Sequence, residues 1–238
     1  MLDNFVIVTA RGGEQQYANK NLVPVLGRPV ISYPIRAAMD SHLTERVFIS
    51  TNCPKIARVA VQNGAHALDR SDATSTSTSP HKDVIREAAL QLREAHPDAE
   101  NMIVLLGNSV HVTAAQIDQC FEMMQGCGVK SVMTAYRAAD AHPYRAIVKD
   151  GDRIKPFLDV ETGTNRQDYP EVFYYDQGIW ATKIDCAIEQ NGPKPWVWLH
   201  PECQIIERHW SDGKDIHGPF EVSLSAWYVQ HQQHLDHC

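Results

Sequence analysis

The sequence predicts a three-layer α/β/α sandwich around a mostly parallel sheet, and three observations carry that prediction. Apolar or β-branched runs of strand length alternate with stretches of 3.6-residue apolar period, which is the rhythm of right-handed βαβ crossovers. The chain has 238 residues, 43% of them hydrophobic, enough for one large core. No apolar run approaches the ~20 residues of a membrane span, and the opening MLDNF lacks the basic-then-apolar pattern of a secretory signal. The expectation is therefore a single cytoplasmic domain over 1–238 with no membrane partner.

Taken in order, residues 5–9 (FVIVT) read as a strand that runs straight into Ala10-Arg11-Gly12-Gly13. Gly27-Arg28-Pro29 is expected to open a helix reaching about Met39, its apolar face made of Val30, Ile31, Tyr33, Ile35, Ala37 and Ala38. A second strand falls at 46–50. Pro54 starts a helix through 62, with Ile56, Val59 and Ala60 on one face and Asn63-Gly64 as its stop. Further helices are expected at 83–95 and 114–124, and strands at 102–106 and 129–136. The composition then changes. Segments 142–148, 154–158 and 172–180 read as extended, around a polar stretch at 159–168, so 137–180 is expected to be a small β-rich arm serving as a lid or dimer contact. A strand at 203–207 and a helix at 220–232 close the chain.

The N-terminal turn is the first candidate site. Glycine tolerates the φ values that crowd backbone N–H groups into a concave nest, and a nest beside Arg11 attracts phosphate. Such ligands sit at the C-terminal ends of the strands in a parallel sheet. The net charge of −7 argues against a general nucleic-acid binder, so any phosphate must be held locally. The six cysteines form no CxxC pair, and neither a zinc knuckle nor a dithiol motif is spelled out. His231, His234, His237 and Cys238 cluster in the tail, where a solvated terminus accounts for them. The hydroxyl-rich run SDATSTSTSP at 71–80 is a loop too short to be a linker.

In sequence order the distinctive pieces are ARGG at 10–13, KNL at 20–22, GRPVISYPIRAA at 27–38, VFISTNCPKIARVAVQNGA at 47–65, LDR at 68–70, RQDYPEV at 166–172 and DIHGP at 215–219. Together they resemble the cytidylyltransferases that make CMP-activated acidic sugars, the CMP-sialic acid synthetase group. Its patterns read IPARGGSKGIPxKN, LxGKPLIxYxIxxA, VVVSTDxxxIAxxAxxxGA, RQDLPxxYxxNGAIY and DIDTPED, and the match spans nearly the whole chain at corresponding spacing. The resemblance implies a Rossmann-like nucleotide-diphospho-sugar transferase fold, a homodimer formed through the arm, and transfer of a nucleoside monophosphate from CTP with loss of pyrophosphate. It assigns Arg11, Gly12, Gly13 and Lys20 to the phosphates and Ala10, Asn21 and Arg70 to the base or ribose. Arg11, Lys20 and Asp215 are its catalytic candidates. Asp215 stands where the family has the first aspartate of DID, whose pair carries a divalent metal, Mg²⁺ or Mn²⁺.

Departures from the family concentrate at the triphosphate and acceptor ends. Glu14-Gln15-Gln16 replaces SKG, so a lysine is lost and a carboxylate gained; Glu14 is open to reading as a metal ligand or as a solvated residue. His217 replaces the second aspartate, either as a nitrogen ligand that favours Mn²⁺ or as a turn residue. LLGNSVHV at 105–112 stands for LQPTSPLR, and Asp176-Gln177-Gly178 for NGA. The acceptor is expected to be anionic, held by Arg145, Arg166, Gln167 and Asp176, since guanidinium forks bind carboxylate or phosphate in a bidentate way. Three alternatives stay open: another nucleotide, a phosphonate or sugar-phosphate acceptor, and a degenerate paralogue that binds nucleotide without turnover.

Overall fold

The computed structural model describes residues 4–13, 19–126, 128–161, 163–212 and 214–235, so Glu14, Gln15, Gln16, Cys127, His237, Cys238 and the side chain of His234 lie outside the described residues. The first half contains β1 (Asn4–Thr9), β2 (Pro24–Val25), β3 (Arg28–Pro29), α1 (Ser32–Met39), β4 (Arg46–Thr51), α2 (Pro54–Gln62), β5 (His66–Asp69), α3 (His81–Ala95) and β6 (Asn101–Leu106). The second half contains α4 (Ala114–Gly126), β7 (Ser131–Arg137), β8 (Ile147–Asp150), β9 (Arg153–Pro156), β10 (Phe173–Lys183), α5 (Ile184–Glu189), β11 (Gln204–Glu207) and α6 (Pro219–Leu235).

Strand β1 is buried along its whole length, and its side-chain alternation sets the layers. Val6 and Val8 meet Ile35 of α1, Ile56 of α2 and Phe121 of α4, whereas Phe5 and Ile7 meet Ile85 and Leu92 of α3 and Ile184 of α5. Successive strand side chains point to opposite faces, so a strand covered on both sides needs an unbroken apolar run rather than alternation. The expected sandwich is the one observed. Its sheet runs β11-β7-β10-β6-β1-β4-β5. All neighbours are parallel except β10, which is antiparallel to both β6 and β7.

Three differences from expectation have local causes. The first helix begins at Ser32 because β2 and β3 form a two-residue hairpin whose turn residues, Leu26 and Gly27, have φ of 46° and 78°. Two positive φ values match the primed turns that suit the twist of a hairpin, and no helix starts until the chain has left it. The span 172–180, expected in the arm, is the reversed strand β10 of the central sheet. What stands apart is the β8–β9 hairpin, exposed throughout, with Ile154 69% and Phe157 63% exposed. Finally, β5 and α5 carry too few residues for a periodic signal. The closing helix α6 packs Val222, Ala226 and Val229 against Val25, Val30, Val110 and Ile216. It thereby braces the segments that carry Asn108 and Asp215. No helix among the described residues is long and apolar enough to cross a membrane.

Candidate active site

From β1 the chain moves outward to β4 and β5, then returns to β6 on the other side of β1. At such a reversal the loops at the carboxyl ends of two adjacent strands diverge and leave a crevice. A cavity of about 270 Å³ opens there, between Ala10 and Arg11 after β1 and Leu106 and Asn108 after β6. Gly107 permits this close approach: a Cβ would lie 2.7 Å from Ala10 Cβ and 2.5 Å from Ile31 Cδ1. Gly13, Lys20, Asn21 and Arg70 complete one wall, and Thr76, Ser77, Ser79 and His81 the other.

Cations dominate the electrostatics of this cavity. Burial lowers the pKa of Lys20 from its ordinary value; Asp215 opposes that shift and Arg11 adds to it. Burial also lowers Arg70, again with Arg11 adding to the shift. None of the ion pairs between described residues involves Arg11, Lys20 or Arg70. Asp215 acts on Lys20 and Glu87 on Arg70 only through their fields, without a direct ion pair among the described residues, and three cations so placed favour an incoming polyanion. Arg70 donates Nε and Nη2 to Thr74 O at 3.1 and 2.5 Å, which fixes its plane. Asn21, buried, donates Nδ2 to Arg11 O at 3.1 Å and so ties the two motifs together. Gly12 spends its N–H on Asn52 Oδ1 at 2.9 Å, so it supports the turn rather than lining the cavity.

Asp215 borders the cavity through Asn108, whose Nδ2 donates to Asp215 Oδ2 at 2.8 Å. His217 Nε2 stands 3.0 Å from Asp215 Oδ1. That is a hydrogen-bond length, so both atoms could face one divalent ion only once the imidazole has given up its Nε2 proton. No group of three or more His, Cys, Asp or Glu side chains among the described residues could enclose a metal.

The four acceptor candidates are not brought to this cavity. Asp176 is a buried structural group: Oδ2 takes Arg208 Nε at 2.5 Å, and Oδ1 accepts Thr134 Oγ1 at 2.6 Å and Gly178 N at 2.8 Å. Its carboxylate is engaged within the fold and does not line the cavity, where it was expected to meet the acceptor. A register shift between Tyr175 and Trp180, with Gln177 at φ 60°, turns the carboxylate inward. Arg166 Nη1 pairs with Asp140 at 2.9 Å, and Arg166 and Gln167 line a separate pocket with Arg137 and His142. Arg145 donates to Thr164 O at 3.3 Å and lies over the Tyr169 ring.

Two residues went unread in the sequence. Asn108 had no motif to announce it, although the departure LLGNSVHV pointed to its segment. His81 lies at the start of α3 after the hydroxyl-rich loop; its Nε2 is 3.1 Å from Thr9 Oγ1 and its ring contacts Trp180 and Trp198 edge-on. Burial, helped by Arg70, pushes its pKa down to about 4, so it meets a ligand as neutral imidazole.

Residues 5–146 match the family described as Cytidylyltransferase, and the chain belongs to that family. It is 27% identical over 204 residues to N-acylneuraminate cytidylyltransferase A of Danio rerio, covering 84% of this chain and 46% of that protein. Against the CMP-N,N'-diacetyllegionaminic acid synthase of Legionella pneumophila it is 26% identical over 230 residues, covering 95% and 96% of the two chains. Its fold is that of a CMP:2-keto-3-deoxy-manno-octonic acid synthetase solved with CTP, at TM-score 0.68 and 14% identity over 96% of this chain and 99% of that one.

Proposed function

We propose that this chain transfers CMP from CTP to an anionic, sugar-like acceptor and releases pyrophosphate. The observation that carries the reading is the convergence of Arg11, Lys20 and Arg70, in no direct ion pair among the described residues, on the crevice at the ends of β1 and β6. The acceptor oxygen attacks the α-phosphorus, the bond to the β-phosphate oxygen breaks, pyrophosphate leaves, and the acceptor's hydroxyl proton passes to solvent. This chemistry asks for positioning and charge stabilisation more than for covalent help. Arg11 and Lys20 bind the phosphates and hold the charge that builds on the leaving group. Asn21 and Arg70, with Ala10, hold the base and ribose. Asp215 and His217 would hold a divalent cation, Mg²⁺ or Mn²⁺, which when bound neutralises triphosphate charge.

The names of the similar proteins point to nine-carbon or eight-carbon acidic sugars as the acceptor class. A homodimer is part of the proposal. Ile147, Ile154 and Phe157 of the arm leave apolar surface in water that a second copy would cover. The reaction would run in the cytoplasm, where CTP is available. A thermal-shift panel of nucleoside triphosphates with Mg²⁺ or Mn²⁺ tests the nucleotide. CTP at 100-fold its dissociation constant adds roughly 2.7 kcal/mol, and equal shifts with all four nucleotides would overturn the cytidine assignment.

A further inference from the structure

We propose that Lys214 is the anchor for the acceptor's carboxylate and that Trp210 and Tyr136 form the shelf on which the acceptor's C–H face lies. The proposal rests on the cytidylyltransferase reading of the site. Lys214 Nζ lies 5.6 Å from the centroid of the Trp210 ring and 5.9 Å from that of Tyr136, so the ammonium is bracketed by two aromatic faces. Ring faces attract a cation and fix its direction, yet they leave its charge uncancelled. None of the ion pairs between described residues engages it.

Its place in the fold gives this charge a use. Lys214 directly precedes Asp215, which borders the nucleotide cavity through Asn108. Tyr136, one residue before the end of β7, lies at the carboxyl edge of the sheet, the same edge as Ala10 and Asn108, and is absent from the walls of the nucleotide cavity. The shelf therefore lies on the arm side of Asp215: the neighbouring Tyr174 ring is 5.8 Å from Tyr136, and its hydroxyl donates to Ala141 O at 2.9 Å. Trp210 is 55% exposed, so part of the indole is available to a ligand beside the ammonium.

The two arm arginines do not compete for this role within the chain. Arg166 is paired with Asp140, and Arg145 donates to a backbone carbonyl. A ligand fitting the shelf needs an apolar face for Trp210 and one anionic group for Lys214. An acidic sugar offers both, its ring C–H bonds on one side and its carboxylate at the edge. The carboxylate on Lys214 would leave the hydroxyl beside it turned toward Asp215 and the α-phosphate.

The test compares wild type with Lys214→Met, which keeps the stem's packing on the rings, and with Lys214→Arg. Pyrophosphate release is measured with CTP and N-acetylneuraminate, legionaminate, pseudaminate and 3-deoxy-octulosonate, each as the acid and as its methyl ester. For the best acid, Lys214→Met is expected to raise the acceptor KM about tenfold or more while leaving the CTP KM within about twofold, as loss of one charge-assisted contact implies. Lys214→Arg should stay within about threefold of wild type. Wild type should discriminate against the ester, and Lys214→Met should not. An acid-over-ester preference retained in Lys214→Met overturns the proposal, as does an unchanged acceptor KM.

If wild type releases no pyrophosphate with any acid, the cytidylyltransferase reading fails. Fluorescence titration with the same acids and esters then decides Lys214 by itself. A saturable change that is lost in Trp210→Leu and is specific to the acid upholds the anchor; no such change with any of the acids removes it.

Discussion

Asp176→Asn takes away one charge and almost no volume, and it removes the carboxylate in direct contact with the Arg208 guanidinium. The side chains of Arg208 and Asp176 keep 2% and 0% of their surface exposed. The other acceptors around the Arg208 guanidinium are neutral: His111 O at 3.0 Å, Gln116 Oε1 at 3.2 Å and Asp212 O at 3.4 Å. Gly178 can hold no side chain, because a Cβ there would fall inside the guanidinium, so the group has nowhere to retreat. Removing one partner of a buried pair costs about 3–5 kcal/mol, since the other charge stays desolvated. At about 2–4 °C per kcal/mol for a chain of this size, the melting temperature should fall by roughly 6–20 °C. Urea unfolding followed by far-UV circular dichroism at fixed protein concentration measures the loss directly. Asp176→Asn combined with Arg208→Met removes both charges and should recover at least about half of it, because an uncharged, well-packed replacement avoids the desolvation cost. A loss below about 1 kcal/mol in Asp176→Asn would refute the reasoning.

Four further outcomes are expected. Lys20→Met should lower kcat/KM for CTP about 10²–10³-fold, the scale of one preorganised donor, in steady-state pyrophosphate release; an effect under about threefold would remove Lys20 from the triphosphate. Asp215→Asn should abolish turnover while the thermal shift with CTP persists, and His217→Asp should move metal preference from Mn²⁺ toward Mg²⁺; full activity with an unchanged metal profile in His217→Ala would make His217 a turn residue. Burial holds His81 and His111 down to about 4 from 6.5, so the folded chain binds fewer protons than the unfolded chain in that window. Stability should therefore be complete above about pH 6.5 and fall as the pH drops toward 4, by about 3 kcal/mol for His111 alone. His111→Phe, which keeps a ring against Tyr228, should flatten that acid limb in pH-dependent unfolding, and an unchanged limb would contradict the assignment. Ile154→Lys with Phe157→Ser should convert a dimer to a monomer in light scattering, and a wild type monomeric at micromolar concentration would end the arm's proposed role.

What the sequence made legible is local, and what it hid is tertiary. The run from Phe5 to Thr9 announces a strand covered on both faces, and ARGG at its end announces a turn that can face a ligand; both follow from residues a few positions apart. Lys20, Asn21 and Arg70 were reachable through the spacing of known motifs. Asn108 and His81 reach the crevice only because β6 returns beside β1, an adjacency that no short window contains. The reversed strand β10 was assigned to the arm because its residues follow the arm without a break, and strand direction depends on partners far away in the chain. Asp176 was expected at the acceptor for the same reason. Its partner Arg208 lies 32 positions on, and only their pairing across β7, from β10 to the end of β11, reveals a buried charge.

The central claim is transfer of CMP at this crevice. Phosphorus NMR of a reaction containing CTP, Mg²⁺ or Mn²⁺ and an acidic nine-carbon or eight-carbon sugar tests it most directly. The account predicts pyrophosphate and one new phosphodiester resonance in equal amounts, both lost in Asp215→Asn. Consumption of no CTP with any of these sugars, or products of CDP and phosphate in place of pyrophosphate, would contradict it.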